Sequence, residues 1–66
     1  MISYEPLFKT IEEKETSLIE IENAVRLSSS VTAKFRKNQH VSLGTIEKIC
    51  LYLNVPIEKV VAIKKK

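Results

Sequence analysis

Cysteine and glycine are almost missing from this 66-residue chain: Cys50 and Gly44 are the only ones. A single thiol cannot form an internal disulfide, so the core must hold by packing alone, which fits a reducing compartment. Without a second cysteine near Cys50, a zinc site fails on ligand count. No apolar run approaches the ~18–20 residues that span a bilayer, and no signal-peptide pattern precedes the rest. The sequence therefore reads as soluble and cytoplasmic, with no membrane partner. Low-complexity stretches, internal repeats and linkers are absent too. So are a nucleophile–base pair, a glycine-rich phosphate loop and a cluster of metal-ligating side chains. These gaps argue against an enzyme and against any cofactor, and a chain this small has little room for a substrate pocket. No effector pocket or sensor segment is evident, so no small-molecule effector is expected.

What the chain does contain is a normal globular mixture, 44% hydrophobic and 29% charged. It suits one domain over residues 1–66 with a small, marginal core. Its charge is unevenly distributed. Residues 1–25 carry six glutamates against Lys9 and Lys14, and residues 26–66 carry nine lysines and arginines against Glu47 and Glu58. An acidic first third and a basic remainder suit a polyanionic partner that approaches from one side. The same distribution also serves plain solubility.

β-branched residues are plentiful but do not alternate with polar ones over a strand length. They recur at helical spacing. Tyr4, Leu7, Phe8 and Ile11 follow the i, i+3, i+4, i+7 rule, and Pro6 sits where a first turn accepts it, which predicts a helix over 5–14. Ser17 and Glu20 form a capping-box pattern before Leu18, Ile21 and Val25, predicting a helix over 18–25. Ser28 caps a third helix over 29–37, whose inward stripe is read as Leu27, Val31 and Phe35. Ser42 caps a fourth over 43–53, with Ile46, Ile49, Cys50 and Leu53 inward and Asn54 as its stop. Pro56 opens a fifth helix over 57–62. Lys64–Lys66 form a frayed basic tail. The predicted class is all-α: a compact five-helix bundle with no sheet.

The stretch from Leu18 to Lys37 resembles the helix-turn-helix of the Cro/lambda-repressor-type (XRE-like) family of small bacterial and phage DNA-binding regulators. The blocks "YEPLF", "LSSSVTAKF", "VSLGTIEKIC" and "YLNVPIEKVV" extend the resemblance over nearly the whole chain. It implies a five-helix lambda-repressor-like DNA-binding domain, a regulator, often dimeric. Three positions depart from the family pattern. Glu22 stands where a small residue is usual, and Arg26 where glycine takes a positive φ, at a cost of about 1 kcal/mol or more. At Thr32 a large aliphatic residue is usual, so the order reads as exchanged, with Val31 turned inward by a modest rotation of the helix.

In such a unit the second helix of the pair lies in the major groove with its N-terminal residues nearest the bases. Carried over position by position, Ser29, Ser30 and Lys34 fall where this class contacts bases. Serine discriminates poorly among bases, whereas lysine can reach the O6 and N7 acceptors of guanine. Phosphate contacts are expected from Ser17 and Ser28, which sit at helix N-termini with free amides. They are also expected from Arg36, Lys37, Asn38 and Gln39 at the end of the helix and in the loop beyond it. Six of these have a plainer reading: Ser28 as a cap, Ser29 and Ser30 as surface polars, and Lys34, Arg36 and Lys37 as a solvated face. His40 is a loop residue and Cys50 a core one. Leu51, Tyr52 and Ile63 are candidate dimer contacts.

The resulting expectation is a cytoplasmic, nucleoid-associated transcriptional regulator, a repressor, that binds double-stranded DNA as a homodimer. The alternative is a protein-interaction module on a diverged helix-turn-helix scaffold, such as an antirepressor, an antitoxin-like partner or an inhibitor. Glu20 and Glu22, on the helix that should cross the DNA backbone, favour that second reading.

Overall fold

The computed structural model describes residues 1–65; Lys66, the last residue of the expected basic tail, lies outside them. Among the described residues four α-helices form: α1 Glu5–Glu13, α2 Leu18–Val25, α3 Ser29–Arg36 and α4 Leu43–Leu53. The expected limits of α2 and α4 hold, while α1 and α3 each end one residue before the predicted 14 and 37. The starts are set by serine hydroxyls. Ser17, Ser28 and Ser42 accept from the amides of Glu20, Val31 and Thr45 at 3.1, 3.3 and 3.1 Å. Each thereby satisfies one of the orphan donors of a first helical turn.

Two expectations about the chain end are overturned. The fifth helix over 57–62 is only a 3-10 turn, Ile57–Lys59. Beyond it the chain extends into a two-residue strand, β2 Ala62–Ile63, which pairs antiparallel with β1 Ile2–Ser3. Ile2 faces Ile63 and Ser3 faces Ala62. The β-branched run Val60, Val61, Ile63 suits this extended conformation better than a helix. Lys64, taken as part of a frayed tail, is tied down. Its amide donates to the Met1 carbonyl at 2.7 Å, its carbonyl accepts from the Met1 amino group at 2.6 Å, and its Nζ lies 3.0 Å from Glu5 Oε1. The fold is therefore four helices with a small strand pair, not a five-helix bundle without a sheet.

The core gathers Tyr4, Leu7, Leu18, Ile21, Phe35, Ile46, Ile49, Leu53 and Val60. The stripe read for α1 is partly corrected. Phe8 is exposed, and Thr10 points inward instead, donating its hydroxyl to the Lys59 carbonyl at 2.7 Å. That bond fastens the 3-10 turn to α1. Cys50 is half-buried against the core, and burial pushes its thiol pKa up, so the thiol stays protonated at neutral pH.

Candidate nucleic-acid interface

α2 and α3 pack against each other, and α2 packs against α4, which leaves one side of α3 free. The residues that anchor α3 are Thr32 and Phe35, both buried, with Val31 half-buried beside them. The expected exchange of Val31 and Thr32 is half met: Val31 does pack against the core, but Thr32 is the more deeply buried of the two. Thr32 fits inside because its Oγ1 donates to the Ser28 carbonyl at 3.2 Å, so its buried hydroxyl has a partner. At about 100° per residue, inward Thr32 and Phe35 put Ser30, Ala33, Lys34 and Lys37 on or near the opposite side, with Ser29 at its edge.

Ser29, Ser30 and Lys34 are indeed all exposed. The Ser30 hydroxyl is hydrogen-bonded to that of Ser28 at 2.9 Å, which orients it locally. Arg36 and Lys37 are exposed at the end of the helix, and Arg26 at its entry. Among the described residues the only ion pair is Lys64–Glu5. Arg26, Lys34, Arg36 and Lys37 thus have no carboxylate within 4 Å, and the acidic residues of α1 do not neutralise this flank.

Other expected contact residues have work inside the protein. The Asn38 side-chain oxygen accepts from the Tyr4 amide at 3.0 Å, and the Gln39 carbonyl accepts from the Tyr4 hydroxyl at 2.7 Å. The Tyr4 ring meets Phe35 edge-on at 4.7 Å. Tyr4 thereby clamps the end of α3 to the start of α1, a connection for which the sequence carries no signal. Ser17 caps α2, but the capping box closes only halfway. The Glu20 carboxylate accepts from the Thr16 hydroxyl at 2.6 Å, which leaves an anion of the protein's own at the N-terminus of α2.

The three candidate dimer residues are exposed but separate. Tyr52 lines a depression with Lys14, Thr16 and Leu53, at the C-terminal end of α4, and Leu51 is its neighbour in sequence. Ile63 lines an apolar cavity of about 350 Å³ near the other end of α4, with Ile2, Leu43, Ile57 and Val61.

The family model of the Cro/C1-type HTH DNA-binding domain aligns with residues 7–66. The chain belongs to this family. Its fold is also close to that of a solved transcriptional regulator. The crystal structure of the transcriptional regulator VanUg superposes with a TM-score of 0.94 at 32% identity, covering 98% of this chain and 87% of that one. Among curated protein sequences, none matches. Between α2 and α3 of this domain the chain turns at Arg26, in left-handed backbone. No helix among the described residues is long and apolar enough to cross a membrane.

Proposed function

We propose that this Cro/C1-type domain is a sequence-specific, double-stranded DNA-binding transcriptional regulator that acts as a repressor. It reads the major groove with α3, through Ser29, Ser30 and Lys34. The observation that carries the proposal is the exposed, serine-led face of α3, whose cations have no internal carboxylate partner. Arg36 and Lys37 supply phosphate contacts beside it, with Ser28 and the free face of Asn38 and Gln39 adding polar ones. Few base readers per domain give modest specificity, so two copies bind a palindrome with half-sites about 34 Å apart. By this reading the protein works on the nucleoid in the cytoplasm.

Fluorescence anisotropy with random-sequence duplex tests the first step. Binding should be measurable at ~50 mM salt and fall steeply by ~200 mM, because each neutralised phosphate adds about 0.9 to the log–log salt slope. Selection from a random duplex pool should then enrich a palindrome. Sedimentation of Tyr52→Glu and Ile63→Glu, at opposite ends of α4, assigns the dimer contact to the variant that loses mass.

One observation favours the second reading, a protein-interaction module. Glu20 already sits at the N-terminus of α2, where DNA backbone would approach. Absence of any duplex binding at ~50 mM salt, where non-specific affinity is strongest, would select that reading.

A further inference from the structure

Each of the four α-helices among the described residues is followed by a residue in left-handed backbone, and none of these residues is glycine. Glu15, Arg26, Asn38 and Asn54 take φ of 52°, 58°, 53° and 57° just past the four helices. The amides of the next residues, Thr16, Leu27, Gln39 and Val55, reach back to the carbonyls of Ile11, Glu22, Lys34 and Cys50 at 2.9–3.0 Å. Left-handed backbone crowds the Cβ of an L-residue against the following carbonyl, so glycine is the usual choice there and asparagine the next. Asn38 and Asn54 follow that preference, whereas Glu15 and Arg26 do not.

Arg26 is the instructive case. It forms the turn between α2 and α3, two residues ahead of the Ser28 cap. Its side chain is exposed and makes no ion pair, although Glu22 lies one helical turn before it. The contact that Arg26 makes inside the protein is a backbone one, its amide to the Glu22 carbonyl, which glycine would make equally well. Glu15 carries the same strain at the end of α1; what sets Arg26 apart is that it is an exposed cation, with no ion-pair partner among the described residues, in the turn that leads into α3. A guanidinium offers a planar fork of donors that suits phosphate oxygens.

We propose that Arg26 is a phosphate anchor: presented at the turn beside the N-terminus of α3, it binds a backbone phosphate of the DNA on which α3 docks. This inference rests on the DNA-binding reading above.

The salt dependence of binding to random-sequence duplex, measured on the full chain by anisotropy, separates the two. Arg26→Gly should bind about 3–10-fold more weakly near 0.1 M salt, with a log–log slope smaller by about 0.9. It should also melt at least as high as the wild type, higher by up to about 4–8 °C, because the left-handed strain is gone. A raised melting temperature shows that the weaker binding does not come from unfolding. Arg26→Lys keeps the charge and should keep the slope. Glu15→Gly relieves the same strain at the end of α1 and should leave the slope unchanged. Wild-type slope and affinity in Arg26→Gly would overturn the anchor and leave the DNA reading standing. A wild type that fails to bind duplex at ~50 mM salt overturns both.

Discussion

Removing one oxygen atom from Tyr4 tests the clamp that holds α3 in place. The Tyr4→Phe variant keeps the ring, which is 1% exposed and meets Phe35 edge-on at 4.7 Å. Lost with the oxygen is the 2.7 Å hydrogen bond to the Gln39 carbonyl. Deleting one partner of a buried bond costs about 1–3 kcal/mol, and Gln39 is exposed enough for water to compensate in part, so a loss of about 1–2 kcal/mol is expected. For a domain of this size that lowers the melting temperature by about 4–8 °C for each kcal/mol. A pH signature accompanies it. Burial holds the Tyr4 phenol above its ordinary pKa of 10.0, with the backbone of Val41 partly offsetting the rise. The folded state then keeps its proton where the unfolded chain has lost it. The stabilisation is complete below pH ~10 and drains away as pH rises through the folded-state value. Urea titrations of both proteins at neutral pH and at several values above 10 read this directly: the wild-type advantage should shrink as pH rises. A variant within ~0.5 kcal/mol of the wild type at neutral pH, or an advantage that stays constant in alkali, would refute the clamp, since an unfilled bond of this kind should cost at least that much.

Other substitutions probe different parts of the argument. Thr32→Val should be neutral or stabilising by up to about 1 kcal/mol in chemical denaturation, because the Ser28 carbonyl still accepts from the residue-32 amide at 3.1 Å and a buried hydroxyl is exchanged for a methyl. A marked destabilisation would mean that the Oγ1 bond is essential. Lys64→Ala should change stability by no more than about 0.5 kcal/mol, since the Lys64–Glu5 pair is screened by solvent on both sides; a larger change by denaturation would give the pair more weight than its exposure permits. On selected duplex, Lys34→Ala should weaken specific binding about tenfold or more, in line with ~1–3 kcal/mol for a base contact, and far more than Lys65→Ala does. Equal losses in a binding titration would mean that α3 does not face the bases.

The helix starts were legible in the chain because they depend on bonds that span three residues. Ser17, Ser28 and Ser42 each cap the turn that follows, and Asn54 stops α4 in left-handed backbone. The amphipathic spacing of α2 and α4 and the acidic-to-basic split were open to reading for the same reason: both are one-dimensional patterns. The exposed face of α3 followed from composition, since a helix with so few large apolar side chains has little to bury.

Contacts between residues distant in sequence left no such trace. Ile2 and Ile63 pair as strands across nearly the whole chain, and that pairing turns an expected fifth helix into a single 3-10 turn and a strand. Tyr4 claims the Asn38 side-chain oxygen and the Gln39 backbone carbonyl, and the first of these is a group that local chemistry would have offered to DNA. Thr32 is buried more deeply than Val31, because a threonine hydroxyl can hide by bonding to the carbonyl four residues back, and the packing of α3 on α2 rather than side-chain polarity sets which flank turns inward. Local hydrogen bonds and periodicity select the elements. Burial against distant neighbours selects their faces, and here it also selects which polar groups remain free to meet a partner.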